Sequence, residues 1–162
     1  MDQPSDVPEV RPPTLDDVRN LCRALAASEA RYVLIGGFAV VLHGGERTTK
    51  DIDLLVDPAP ENVERLKKAL SVLEDNAARD IASDDFQRYR VVRVADEVMV
   101  DLLSAACDVT WAEADASAER RDLDGIPIIV ADPATLIRTK QTPRPSDAAD
   151  RAWLEGLSGA GE

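Results

Sequence analysis

The apolar positions near the start of the chain recur at intervals of three or four residues. They are Leu15, Val18, Cys22 and Leu25. This spacing predicts a helix that ends near Ser28, and Thr14 followed by acidic residues is typical of a helix start. A continuous apolar run over residues 32–35 then predicts a buried strand, and residues 38–42 predict a short second helix.

The rest of the chain alternates between strand-like and helix-like patterns. Further strands are predicted at residues 51–56, 88–94, 97–103 and 126–130, and further helices at residues 61–73, 134–140 and 146–157, with a weakly helical stretch at 109–118. The second and third of these strands are predicted to form a hairpin that turns at Ala95-Asp96. Strands interleaved with helices predict an α+β protein, in which helices flank a small mixed sheet.

Length and composition indicate one folded unit. The 162 residues fit a single domain. Residues 1–13 contain four prolines and are predicted to be a disordered leader. Residues 14–157 are predicted to form the domain, and residues 158–162 a flexible tail.

The charge balance restricts the ligands. The formal net charge is −12, from 31 acidic and 19 basic residues. Because such a field repels a phosphate backbone at long range, extended nucleic-acid binding is not expected. A nucleotide site would have to contain its own cations, either side chains or metal ions.

The cysteine and histidine content excludes a zinc site. The chain has two distant cysteines and one histidine, His43. We expect His43 to have a helix C-terminal or surface role, with a role in catalysis as the alternative. We expect a cytoplasmic protein, since the sequence shows neither the pattern of a signal peptide nor an apolar run long enough to span a bilayer.

Asp51 and Asp53 are the first candidate functional residues. Side chains alternate between the faces of a strand, so these two carboxylates lie side by side where the strand begins. Magnesium takes hard oxygen ligands and commonly binds one or two carboxylates together with substrate phosphates. A solvated pair on an edge strand is the alternative interpretation.

Asp101 lies within an otherwise apolar strand. A lone charge in such a run is costly unless it is paired or binds a metal. Two strands that offer three carboxylates to one place suit a site for two metal ions. The alternative is that Asp101 faces solvent on an amphipathic edge.

A glycine pair, Gly36-Gly37, separates the first strand from the short helix. Backbone N–H groups at such a junction can approach a phosphate closely. The alternative is that the two glycines serve only as a turn.

Taken in order, these motifs resemble the nucleotidyltransferase superfamily related to DNA polymerase beta. The matching segments are Leu34-Ile-Gly-Gly-Phe-Ala-Val-Val-Leu-His-Gly44, Arg47-Thr-Thr-Lys-Asp-Ile-Asp-Leu54 and Val100-Asp-Leu102. The sequence is most similar to the minimal branch that includes AbiEii-type toxins and small antibiotic nucleotidyltransferases. The resemblance implies a nucleotidyltransferase fold over about residues 14 to 156.

The resemblance also implies a role for each motif. Asp51 and Asp53 would coordinate both magnesium ions, and Asp101 would bind the catalytic ion and act as general base. Gly36 and Gly37 would hold the β- and γ-phosphates of a nucleoside triphosphate.

Two cations complete the site that the resemblance implies. Arg47 and Lys140 would bind the triphosphate, with Asp147 and Asp150 following Lys140 as in the family's C-terminal motif. The alternatives are a solvated loop arginine and a cation at a helix C-terminus.

The implied activity is transfer of a nucleoside monophosphate from the triphosphate to an acceptor hydroxyl, with release of pyrophosphate. A small molecule or a protein is favoured as the acceptor, RNA is not excluded, and a toxin–antitoxin system with a partner protein is a possible setting. Two alternatives stay open: a non-catalytic nucleotide-binding or protein-interaction module of the same fold, and a structural domain whose acidic strands have no ligand.

Overall fold

A computed structural model describes residues 10–160, so most of the predicted leader, residues 1–9, lies outside the described residues. The helices of this part are α1 (Leu15–Ala27), α2 (Gly36–Leu42), α3 (Pro60–Leu70), α4 (Asp85–Arg88), α5 (Trp111–Ser117), α6 (Pro133–Thr139) and α7 (Pro145–Ala160). Its strands are β1 (Tyr32–Ile35), β2 (Asp51–Val56), β3 (Val91–Ala95), β4 (Met99–Leu103), β5 (Ala105–Ala106), β6 (Val109–Thr110), β7 (Glu119–Leu123) and β8 (Ile126–Val130).

Six of the strands form one mixed sheet in the order β3-β4-β2-β1-β8-β7. The pairs β2–β4 and β1–β8 are parallel, and the other neighbours in this sheet are antiparallel. The remaining strands, β5 and β6, form a separate two-stranded hairpin. The α+β class and the mixed sheet flanked by helices are therefore confirmed.

The hydrophobic core lies around the two central strands. All four residues of β1 are buried, as are four of the six in β2. Helix α1 turns its buried stripe of Val18, Leu21, Cys22 and Leu25 inward and contacts α3 and β8. Thr14 and Asp17 cap α1 reciprocally: the Thr14 N–H donates to Asp17 Oδ2 at 2.7 Å, and the Asp17 N–H donates to Thr14 Oγ1.

The residues next to this cap also contact the domain. Arg11 Nη2 donates to Asp17 Oδ1 at 2.7 Å and to Glu97 Oε2 at 3.2 Å. At the other end of the chain, α7 continues to Ala160, three residues beyond its predicted end. None of the helices within residues 10–160 has the length and apolar character that crossing a membrane requires.

Strand β7 was not predicted from the sequence. It reads Glu-Arg-Arg-Asp-Leu and pairs only with β8, so as an edge strand it can carry charges on both faces. The sequence does carry a turn signal after it, Asp124-Gly125, and both φ angles there are positive, at 53° and 87°. This is the backbone that a tight hairpin turn requires.

The β3–β4 hairpin was predicted, but with the wrong turn. Strand β3 begins at Val91, and the turn lies beyond Ala95 rather than at Ala95-Asp96. The buried Asp96 carboxylate accepts hydrogen bonds from the backbone N–H groups of Asp75, Ala77 and Glu97, at 2.9, 2.8 and 2.7 Å. These bonds fix the turn and thereby the register of the hairpin.

Candidate active site

The parallel pairing of β2 with β4 brings the three predicted carboxylates together. Asp53 lies directly opposite Asp101 in the register, and Asp51 is two residues before Asp53 on the same face. One oxygen from each carboxylate lies within 4.8 Å of the others. We call Asp51, Asp53 and Asp101 the carboxylate cluster.

Burial and mutual repulsion make this cluster electrostatically unusual. Asp101 is only 6% exposed, so it does not face solvent. Burial, together with the negative charges of Asp101 and Asp51, raises the pKa of Asp53 to about 7. Burial and the neighbouring Asp101 also raise the pKa of Asp51. The cluster therefore holds more negative charge than its surroundings balance.

The glycine pair permits close packing at the start of α2. Gly36 has a φ of 75°, and a Cβ atom there would lie 2.2 Å from Asp53 Oδ2. A Cβ atom on Gly37 would lie 2.5 Å from Thr49 Cγ2. Both contacts are too short for any other residue, so the glycines allow Asp53 and the 47–50 loop to approach the helix. The helix begins at Gly36, two residues earlier than predicted.

The two predicted cations lie near each other and share a partner. The Lys140 ammonium is 3.0 Å from Asp150 Oδ2, and Arg47 also donates to this oxygen. Lys140 is 5% exposed, directly after the last residue of α6. Asp147 lies 3.9 Å from Lys140 Nζ and pairs with Arg144 at 2.9 Å. We call Asp147 and Asp150 the anchor pair.

The pKa of Asp147 shifts in the opposite direction to those of the carboxylate cluster. Burial alone would raise it, but hydrogen bonds from Thr142 and Arg144 hold it below its ordinary value. The anchor pair is therefore matched by positive charge, and its carboxylates orient the basic side chains around them.

All of the predicted site residues except the anchor residue Asp150 line one cleft of about 850 Å³. Its wall includes six basic side chains, from Arg47, Lys50, Arg90, Arg93, Lys140 and Arg144. This acidic chain thus concentrates cations at one place, as a nucleotide site in it would require. Thr48 and Thr49 also line the cleft, and the buried Thr49 hydroxyl has no hydrogen-bond partner among the described residues.

Arg93 is the residue of this site that sequence analysis missed. It lies opposite Asp101 on the neighbouring strand β3 and forms a two-pronged ion pair with its carboxylate. A turn at Ala95-Asp96 would instead place residue 93 opposite residue 98. A correct prediction of the turn would have given the register of the hairpin, and this register places Arg93 opposite Asp101.

His43 lies away from the carboxylates in a structural network. Its Nε2 donates to the backbone oxygen of Ala131 at 2.9 Å, and its Nδ1 accepts from Arg121 Nη2 at 3.1 Å. Both ring nitrogens are therefore engaged at the C-terminus of α2, and a position at the end of this helix was predicted.

The donor set of the cluster fits magnesium. Three carboxylates offer hard oxygen ligands within 4.8 Å of one another. Repulsion among the three carboxylates helps to raise the pKa of Asp53. A bound cation would relieve the same repulsion, so the raised pKa and an affinity for cations share this cause.

The model of the family described as "Nucleotidyl transferase AbiEii toxin, Type IV TA system" matches residues 19–141. This chain belongs to the AbiEii family. The match covers most of the chain and includes the glycine pair, the carboxylate cluster, Arg93 and Lys140, whereas the anchor pair lies beyond its end. A search of curated proteins found no match.

Membership confirms the predicted superfamily and its AbiEii-like branch. AbiEii proteins are nucleotidyl transferase toxins of type IV toxin–antitoxin systems. The family thus supplies the class of reaction, transfer of a nucleotidyl group, and the class of biological system.

Proposed function

We propose that this protein is a magnesium-dependent nucleotidyltransferase that moves a nucleoside monophosphate from a triphosphate to an acceptor hydroxyl. The observation that carries the proposal is the convergence of Asp51, Asp53 and Asp101, with one oxygen of each within 4.8 Å of the others, in a large cleft lined by cations. Such an arrangement is what metal-assisted displacement at phosphorus needs.

Each member of the carboxylate cluster has a proposed role. Asp51 and Asp53 would hold two magnesium ions, and Asp101 would hold one of them. Bound magnesium would polarise the α-phosphoryl group and neutralise charge on the attacking and leaving oxygens. Asp101, whose carboxylate is buried in the cleft, would accept the proton of the acceptor hydroxyl.

The triphosphate would lie in the part of the cleft that is lined by Lys140, Arg47 and the glycine pair. Lys140 and Arg47 supply positive charge there, and Asp150 fixes the position of both. The backbone N–H groups of Gly36 and Gly37 would contact the β- and γ-phosphates, and the Thr49 hydroxyl, which has no partner among the described residues, is a further donor to the triphosphate.

The charge of the cleft restricts the acceptor. Arg90 and Arg144 extend the positive charge beyond the carboxylate cluster, beside an apolar wall that includes Val91 and Leu103. These cations favour an acceptor that carries negative charge over a cationic small molecule. Small molecules, a protein and RNA each remain within this class.

The family membership supports the remaining parts of the proposal. As a toxin of a type IV system, the protein would act in the cytoplasm and would be controlled by an antitoxin protein. Its two cysteines are free in the structure, which agrees with a reducing compartment.

The test is pyrophosphate release with each of the four ribonucleoside triphosphates and magnesium, combined with calorimetric titration of the same nucleotides. Wild-type protein is compared with the double variant Asp51→Asn/Asp53→Asn. We expect turnover or self-labelling in the wild type and none in the variant. Magnesium-dependent nucleotide binding without turnover across a screen of acceptors would instead favour a non-catalytic binding module. Absence of binding by either protein would refute the nucleotide site.

A further inference from the structure

Arg93 binds the same carboxylate oxygens that a divalent cation would need. Its Nε donates to Asp101 Oδ1 at 2.8 Å and its Nη2 to Asp101 Oδ2 at 3.0 Å. The same Nη2 lies 3.5 Å from Asp51 Oδ2. One guanidinium thus bridges two of the three members of the carboxylate cluster.

We propose that Arg93 competes with divalent cations for the carboxylate cluster and so sets the affinity of the site for metal. This inference rests on the proposed function, because it takes the cluster to be a metal site. It assigns to Arg93 a positioning role that acts on the cluster, without contact with the reacting atoms.

The geometry of the ion pair makes the two cations compete at Asp101. A planar guanidinium that donates to both oxygens of a carboxylate takes one of the two acceptor directions that each oxygen offers. A divalent ion on the same oxygens would lie within a few ångströms of this positive charge, where repulsion is strong in a partly buried site. The Arg93 guanidinium therefore weakens metal binding at Asp101 while it stays in place, and its departure strengthens that binding.

The exposure of the two partners shows which of them can move. The Arg93 side chain is 59% exposed, on the edge strand β3, whereas the Asp101 side chain is 9% exposed, on the interior strand β4. Arg93 can thus rotate into the cleft or into solvent, while Asp101 is held by its surroundings. The exposed partner is the replaceable one.

The test measures binding of Mn²⁺ alone to the whole protein by electron paramagnetic resonance. Arg93→Gln removes the competing charge, and Arg90→Gln is the matched control. Arg90 lines the same cleft, but the ion pair it forms is with Asp108, at 3.7 Å and outside the carboxylate cluster. We expect Arg93→Gln to bind Mn²⁺ at least about fivefold more tightly than wild type, which corresponds to about 1 kcal/mol. Arg90→Gln should change the affinity less than about twofold.

Thermal unfolding gives a second measurement that does not depend on activity. Without the guanidinium the cluster loses its counter-ion, so Arg93→Gln should unfold at a lower temperature than Arg90→Gln in the presence of a chelator. Added Mn²⁺ should remove this difference. A purely structural role for Arg93 would lower the unfolding temperature with and without metal alike.

The outcomes separate this inference from the proposed function. Suppose that Arg93→Gln gains no more affinity for Mn²⁺ than Arg90→Gln does, while Asp51→Asn/Asp53→Asn loses Mn²⁺ binding. This result would show that Arg93 does not compete with the metal, and it would leave the proposed metal site intact. Unchanged Mn²⁺ binding in Asp51→Asn/Asp53→Asn would overturn both, because the metal would then lie elsewhere.

Discussion

The candidate site contains two groups of carboxylates that differ in how much positive charge surrounds them. The carboxylate cluster has three acidic groups, and its ion pairs come from the half-exposed Arg93. The anchor pair has two acidic groups, and it contacts Lys140, Arg47 and Arg144. The carboxylate cluster therefore has fewer cationic partners than carboxylates, whereas the anchor pair has at least one cationic partner for each carboxylate.

This difference shows how acidic residues in one site can serve separate purposes. Where carboxylates outnumber cations, the pKa of a buried member rises, as it does for Asp53, and the group has unused capacity for a divalent ion. Where cations match the carboxylates, the pKa falls, as it does for Asp147, and the acids hold basic side chains in position. The balance of charge distinguishes the proposed metal site from the residues that support the site.

Activity gives the largest expected contrast between the two groups. Asp101→Asn removes a proposed metal ligand that is also the proposed general base, so turnover should fall by about 10³-fold. Asp147→Asn removes only a support of Lys140 and Arg144, and turnover should fall by about tenfold. The measurement is pyrophosphate release at saturating triphosphate and magnesium. Equal losses in the two variants would contradict the distinction drawn here.

The free energy of unfolding gives the next contrast, and it should depend strongly on the buried cation of the anchor pair. Lys140→Met removes a buried cation from between two carboxylates and should lower the free energy of unfolding by about 3 kcal/mol. The control is Arg144→Gln, which removes an exposed partner of Asp147 and should cost no more than about 1 kcal/mol. Urea denaturation of both variants measures the difference. If Lys140→Met proved as stable as Arg144→Gln, the anchor pair would not depend on its buried cation.

The pH dependence of stability gives the smallest contrast. Asp53 titrates near pH 7 when folded and near its ordinary value of 3.8 when unfolded. Between these values the folded state binds more protons, so stability falls as pH rises. In urea denaturation with a chelator, wild type should lose on the order of 2 kcal/mol relative to Asp53→Asn between pH 4.5 and 7.5.

The control for this pH series is Asp147→Asn. Because the folded pKa of Asp147 lies below its ordinary value, its contribution to stability is present above pH 4 and is lost only at lower pH. The difference between wild type and Asp147→Asn should therefore stay constant from pH 4.5 to 7.5. If the difference in the free energy of unfolding between wild type and Asp53→Asn also stayed constant over this range, the two groups would not differ in the way proposed.

Local patterns were sufficient to predict much of the fold and part of the site. Alternation along β2 placed Asp51 and Asp53 on one face, and the cost of a charge in an apolar strand singled out Asp101. The boundaries of β1, β2 and β8 were predicted to the residue, because each is a short segment rich in apolar residues with clear ends.

Features that depend on contacts between residues far apart in the sequence could not be predicted from local patterns. Arg93 was missed because its position opposite Asp101 depends on a turn that Asp96 fixes through hydrogen bonds to residues about 20 positions away. The sharing of Asp150 by Lys140 and Arg47 joins residues 103 positions apart, which no local pattern records. Strand β7 was missed because an edge strand needs no apolar face.

The central claim is that Asp51, Asp53 and Asp101 bind divalent cations beneath a triphosphate. Anomalous diffraction from crystals grown with Mn²⁺ and a non-hydrolysable nucleoside triphosphate tests it most directly. We expect manganese peaks in contact with all three carboxylates and with the phosphates, and Arg93 turned away from Asp101. A triphosphate bound in the cleft with no manganese at these carboxylates would contradict the claim.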